Sequence, residues 1–211
     1  FGILNGVTWA AQQGADASNM SLGGWGEKWL VDEVEGVIAV ARKAGALTIA
    51  AAGNSSSDAT YFVPAGAPSA ITVAATDSGG NRAGFSNYGS VVDISAPGVS
   101  IWSTIPGGSY GYKSGTSMAA PRVSGAVGCI LESNPGLSLD EVESTLKATA
   151  DPINANVPMG AGILNLAKAC TMNANKPPSV ALQADPNPLK PSETSTITAT
   201  VKDSDGDPLT L

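Results

Sequence analysis

The 211 residues contain no histidine, so the chain has no imidazole to serve as general base, metal ligand or proton shuttle near neutral pH. Charge is sparse, with Asp, Glu, Lys and Arg making up 14% of residues, and aromatics reach only 5%. What charge there is leans acidic, 18 Asp+Glu against 11 Lys+Arg for a net −7. Such a balance argues against nucleic acid or an anionic membrane as a partner. No apolar run approaches the ~20 residues that a membrane-spanning helix needs. No charged-then-apolar leader opens the chain either. It starts at Phe1 rather than methionine, which reads as an internal piece of a longer precursor. Cysteine is limited to Cys129 and Cys170. Both lie on helical stretches and could pair if those helices pack together, with buried free thiols the equal alternative.

What is present suffices for one sizeable core plus a fragment of something else. Residues 2–13 place Ile3, Leu4, Val7, Ala10 and Ala11 at helical spacing, with Gly14 where a left-handed cap falls. Residues 17–22 read as a short strand. Residues 30–44 form a second amphipathic helix, with Arg42 and Lys43 in its last turn, and residues 46–52 a continuous apolar strand. This alternation predicts a parallel sheet covered on both faces. Residues 71–75 and 91–95 read as further strands. Ser138-Leu139-Asp140-Glu141 fits a capping box that opens a helix to about Ala150, and residues 163–171 a final short helix.

Ligands in such sheets bind beyond the carboxyl ends of the strands, where Ser21-Leu22-Gly23-Gly24 and Gly53-Asn54 fall. The densest chemical signal lies later, in residues 113–121. After Ser117, the residues Val123, Ala126, Val127, Ile130 and Leu131 recur at helical spacing, so Ser117 sits at a helix N-terminus. Unpaired N–H groups and the positive end of the helix dipole favour negative charge there. Spacing alone favours reading Ser117 as a plain N-cap, as most serines before an apolar run are. Pro121 is expected to fall within about the first turn, where its missing N–H removes no intrahelical bond.

The string Gly115-Thr116-Ser117-Met118-Ala119-Ala120-Pro121 resembles the nucleophile motif of the subtilisin-like serine peptidases. Upstream, Ala50-Ala51-Ala52-Gly53-Asn54 resembles the strand that ends in that family's oxyanion-hole asparagine. Phe85-Ser86-Asn87-Tyr88-Gly89-Ser90, Asp93 and Ala96-Pro97-Gly98 look most like its proteinase K branch, and the likeness runs from about Gly2 to Thr171. The resemblance implies a three-layer, doubly wound α/β fold, N-terminally truncated, over residues 1–171. It also implies a secreted, monomeric serine endopeptidase acting on polypeptides.

Hydrolysis by a serine needs a nucleophile, a base, a group that orients the base, and donors for the oxyanion. By resemblance Ser117 is the nucleophile, and its N–H and the Asn54 carboxamide form the oxyanion hole. No base is present, and no aspartate has the setting of the family's orienting carboxylate. The expectation is that both lie N-terminal to this chain, which alone does not turn over substrate. Lys113 as base is outweighed by its reading as a solvated loop lysine. A sedolisin-type relative, with glutamate for histidine, is disfavoured by Asn54 and by the Met118-Ala119-Ala120-Pro121 form. Arg122 stands where the family usually has a non-catalytic histidine. With the absence of all histidines, it keeps open a catalytically inactive relative that only binds peptides or surfaces.

The resemblance further implies that Ser21, Leu22, Gly23 and Gly24 bind the peptide main chain by strand addition. Ala51, Ala52 and Gly53 would wall the pocket for the residue before the scissile bond, with Phe62 at its base and an apolar or aromatic preference. It points as well to a structural calcium held by the carbonyls of Pro68 and Ala70 and the carboxylate of Asp93, an oxygen-rich set suited to a hard cation. After a linker at residues 172–179, residues 180–211 resemble the opening of an immunoglobulin-like β-sandwich module. They are too few for the roughly 100 residues of a complete one. Asp203, Asp205 and Asp207 in that stretch read as a solvated turn rather than a second calcium site.

Overall fold

The computed structural model describes residues 2–172, 179–185 and 196–202. In chain order the elements are α1 (Gly2–Gln12), β1 (Ala17–Met20), β2 (Gly24–Trp25), α2 (Lys28–Lys43), β3 (Leu47–Ala51), β4 (Phe62–Val63) and β5 (Ala70–Thr76). They continue as β6 (Ile94–Pro97), β7 (Ile101–Ile105), β8 (Ser109–Lys113), α3 (Thr116–Ser133), α4 (Leu139–Ala148) and α5 (Leu166–Thr171). The pair β9 (Ser179–Asp185) and β10 (Thr196–Lys202) follows. The chain divides into two compact units, Phe1–Met172 and Asn173–Leu211. In the second unit β9 and β10 run antiparallel, with Thr196 opposite Asp185 and Lys202 opposite Ser179. The acidic turn read at 203–207 lies outside the described residues.

The first unit is built on a four-stranded sheet of order β1-β3-β5-β6, parallel throughout. Every residue of β3 and β5 is buried. Because successive side chains of a strand point to opposite faces, both faces must be covered. On one face Val34 and Ile38 of α2 pack against Ala50, while Val7 and Ala11 of α1 meet Met20 and Ala41. The long helix α3 touches all four strands. Its buried stripe, Ala119, Val123, Ala126, Val127 and Ile130, lies at the predicted spacing. Gly14 follows α1 at φ +80°, a backbone state that glycine adopts without a Cβ penalty.

Two expected element starts shift by three residues. The strand read at 91–95 forms instead at Ile94–Pro97, because Val92 packs into a side cluster and Asp93 turns toward Thr72. Pro97 is tolerated because β6 ends the sheet as an edge strand. The last helix starts at Leu166 rather than 163, since Ile163 bridges Ser95 and Asp151 and the Asn165 side chain caps the helix through Lys168 N–H. The hairpin β7–β8, which no local pattern predicts, carries an exposed aromatic face, with Trp102 against Tyr110 and Tyr112 at ring-centroid distances of 6.1 and 4.7 Å. Cys129 on α3 and Cys170 on α5 are joined as a disulfide.

Candidate active site

The C-terminal ends of β1 and β3 and the N-terminus of α3 meet at one cleft. Leu22, Gly23, Ala51, Gly53, Asn54, Phe62, Thr116 and Ser117 line a cavity of about 230 Å³. Ser117 is the second residue of α3, within the turn whose N–H groups have no intrahelical partner. The residue at the cap position is Gly115, which has no side chain to accept a hydrogen bond, so Ser117 is not an N-cap. Its hydroxyl donates to the Ser21 carbonyl at 3.2 Å. An amide carbonyl is not a base, so this hydrogen bond positions the hydroxyl without activating it. Lys113, at the end of β8 and exposed, pairs in the hairpin with Ile101.

Asn54 is oriented by Thr116. The Thr116 N–H and hydroxyl both donate to Asn54 Oδ1, at 2.8 and 3.0 Å, and the Thr116 hydroxyl accepts from Gly53 N–H at 3.1 Å. With its oxygen held, the carboxamide is left with Nδ2 as its free donor. The loop that carries it is clamped by buried Asn87. Asn87 Nδ2 donates to the Ala52 carbonyl at 2.9 Å, and its oxygen accepts from the N–H groups of Ser55 and Ser57 at 2.9 and 3.1 Å. Gly53 turns the chain at φ +100°, where a Cβ would run into Asn87 Nδ2 and the Phe62 ring. Thr116 and Asn87 both fall inside the motifs read from the sequence. Their bracing role depends on contacts across the chain, which no local pattern announces.

Phe62 is half-buried beneath the cavity, edge-on to Trp25 at 5.3 Å, and close enough to Gly23 that a Cβ there would clash with its ring. Ala51 and Gly53 reach the cavity, but Ala52 does not. The strand alternation turns its methyl away to pack with Ala74, Val92 and Met159. Gly24 is also displaced from the cavity, because β2 pairs with β4 and sets Gly24 opposite Val63. Gly24 borders instead a second hollow of about 320 Å³, lined by apolar groups including Ile3, Leu4, Leu22, Val34 and Pro64. No local pattern predicts this hollow, because its walls come from α1, α2, three strands and the loops between them. Ser21 reaches Ser117 twice, with its carbonyl accepting from the hydroxyl and its own hydroxyl donating to the Ser117 carbonyl at 2.8 Å. Arg122 lies exposed on α3.

The expected calcium ligands do not fit a divalent ion. Asp93 Oδ1 is paired with Lys147 Nζ at 2.8 Å, and Oδ2 accepts the Thr72 N–H at 2.8 Å. An ammonium thus already stands against the carboxylate meant for the metal, and Pro68 is exposed just before β5 while Ala70 is buried. Among the described residues no group of three or more Asp, Glu or Cys side chains converges to hold a metal. Burial raises the Asp93 carboxyl above the usual range, and the Lys147 and Thr72 hydrogen bonds only partly offset it. Burial would lower Lys147, but its hydrogen bonds to Asp93 and Glu143 outweigh this and carry it above the usual lysine range. Burial likewise works to raise Glu143, but the Lys147 and Arg42 cations win and hold it low.

Residues 2–183 match the subtilase family. Subtilisin of Bacillus pumilus is 42% identical over 171 residues, which is 79% of this chain and 61% of that protein. Subtilisin E of Bacillus subtilis is also 42% identical, over 79% of this chain and 44% of its own length. Among solved structures, a protease from Pseudoalteromonas arctica superposes with a TM-score of 0.75 at 34% identity, covering 80% of this chain and 57% of that one. A cold-adapted subtilisin-like serine proteinase superposes with a TM-score of 0.66 at 39% identity, covering 78% and 59%. The chain therefore spans roughly half of the relatives it matches. The nucleophile-type motif, the α/β sheet that presents it and these likenesses agree, and the chain belongs to the subtilase family.

Proposed function

We propose that the protein is a secreted, monomeric serine endopeptidase that hydrolyses polypeptides through an acyl-enzyme on Ser117. The observation that carries this reading is the placement of Ser117, at a helix N-terminus, in one cavity with an asparagine whose oxygen is tied back and whose Nδ2 is free. In the reaction Ser117 Oγ attacks the scissile carbonyl, and its proton passes to an imidazole outside these 211 residues. The C–N bond then breaks as that proton reaches the leaving amine. The Ser117 N–H and Asn54 Nδ2 stabilise the charge that develops on the carbonyl oxygen. Ser21, Leu22 and Gly23 offer main-chain groups for an added strand. The small walls at Ala51 and Gly53 over the Phe62 ring favour an apolar or aromatic residue before the scissile bond. The antiparallel pair β9–β10 belongs to the beginning of an appended β-sandwich module.

The absence of histidine favours a second reading, an inactive relative that binds peptides. Fluorophosphonate labelling of the full-length protein separates the two, because only an activated serine reacts quickly. Rapid labelling is expected and is abolished by Ser117→Ala, and Asn54→Ala lowers kcat by roughly 10²–10³ with little change in KM. A full-length protein that labels no faster than its Ser117→Ala variant is the inactive relative.

A further inference from the structure

We propose that the Lys147 ammonium is the built-in cation of the Asp93 corner, standing where family resemblance places a divalent ion, and that this corner of the fold is therefore independent of calcium. The inference concerns a structural site and does not depend on the catalytic reading.

Asp93 joins three parts of the chain. Its N–H donates to the Thr72 carbonyl at 2.9 Å, its carbonyl accepts from Ala161 N–H at 2.9 Å, and its carboxylate takes the Thr72 N–H. The side chain is only 20% exposed. A carboxylate so placed needs a compensating positive charge, since a buried charge without a partner is strongly destabilising. Two sources could supply it, a bound metal ion or a side chain. Lys147 supplies it from the last turn of α4, the end of a helix at which a cation is favoured by the dipole.

The lysine is itself held in place. Glu143, one turn earlier on α4, bonds Lys147 Nζ at 2.6 Å, and its other oxygen meets Arg42 at 2.7 Å. Arg42, at the end of α2, also reaches Asp140 at 2.6 Å. Charges thus alternate along Asp93, Lys147, Glu143, Arg42 and Asp140, from the sheet through α4 to α2. A dication at Asp93 would have to displace an ammonium already bonded to two carboxylates, or sit beside it against like-charge repulsion. A tethered cation also has no free concentration to deplete, so a chelator leaves it in place.

The test compares melting temperatures of the full-length protein in excess EDTA and in millimolar calcium chloride, for wild type, Asp93→Asn, Lys147→Ala, Lys147→Arg and the Lys147→Ala/Asp93→Asn double variant. Wild type and Asp93→Asn are expected to show the same calcium-dependent shift, so that any shift arises elsewhere. Lys147→Ala should melt about 3–8 °C lower in EDTA. It should recover at least half of that loss in calcium, and the recovery should vanish in the double variant. Lys147→Arg should behave as wild type. A calcium response of wild type that Asp93→Asn removes overturns the proposal, and so does a Lys147→Ala protein that calcium does not stabilise. If Lys147→Ala does not fold, terbium luminescence on Lys147→Gln at low temperature replaces it. Terbium bound by that variant and not by wild type supports the proposal, and any other pattern rejects it.

Discussion

In an uninterrupted helix the Ser117 carbonyl would accept the N–H of the residue four positions on, which is Pro121 and has none. The proline is the sixth residue of α3, beyond the first turn, so the expectation that it removes no helix bond fails. Ser21 supplies the missing donor through its hydroxyl, 2.8 Å from the Ser117 oxygen. One serine therefore restores, at Ser117, the backbone hydrogen bond that the motif's own proline deletes. Ser21→Ala is expected to cost about 1–2 kcal/mol by stranding that acceptor. In a Pro121→Ala background the cost should fall, because the substituted alanine brings back an N–H. Urea unfolding of the four proteins closes this double-mutant cycle. An equal cost in both backgrounds refutes the link. The motif shows Ser117 and Pro121 side by side, but it does not show that Ser21 repairs the gap between them.

Among the elements, α3 does the most, since it spans the sheet and presents Ser117 to the cleft. Its far end is tied to α5 by Cys129–Cys170, which are 41 residues apart in sequence. The sequence left these thiols equally open to pairing or to free burial, because spacing alone does not say whether two helices meet. Replacing both with alanine is expected to cost about 2–4 kcal/mol, by freeing the unfolded chain from a closed loop. The shift in urea midpoint measures it, and an unchanged midpoint would show that the bridge contributes nothing. The helix α4 is readable from sequence, because its start is written in four adjacent residues. The Ser138 hydroxyl accepts from Glu141 N–H, and the Glu141 carboxylate accepts from Ser138 N–H at 2.6 Å. The hairpin β7–β8 is not. Its glycine- and serine-rich composition hides an alternation of aromatic side chains that stays exposed on one face.

At the scale of the whole unit, α2, α4 and the sheet are tied by charge as well as by apolar packing, and this gives stability a pH dependence of known sign. Glu143 has its folded-state pKa depressed. It therefore contributes stability that is present above its unfolded value near 4.3 and is lost as pH falls through the lower folded value. Asp77 and Asp151 shift in the same direction, the first through backbone hydrogen bonds at Asn81 and the second through Lys168. Asp93 is raised, so its ionisation works against the folded state, and its effect runs the opposite way over the same pH range. Wild type should lose stability between about pH 5 and 3. Glu143→Gln should start lower and lose less over that interval. Urea midpoints at the two limits decide it, and parallel losses would remove Glu143 from the account.

The placement of Ser117 at a helix start and of Asn54 at a strand end, the parallel α/β class and the α4 capping box were all legible in the sequence. The sheet class and the capping box are encoded by residues a few positions apart, where backbone stereochemistry and hydrophobic period set the outcome, while Ser117 and Asn54 stand out through motifs that resemble those of the subtilisin-like peptidases. Only the tertiary structure decided that Ala51 faces the cleft while Ala52 faces the core, and that Thr116 and Asn87 hold the asparagine. It also decided that Ser21 completes the broken turn and that Lys147 reaches Asp93. Those choices depend on which side chains are brought within a few ångströms when separate elements pack, and pairing across so much chain leaves no periodic trace in sequence.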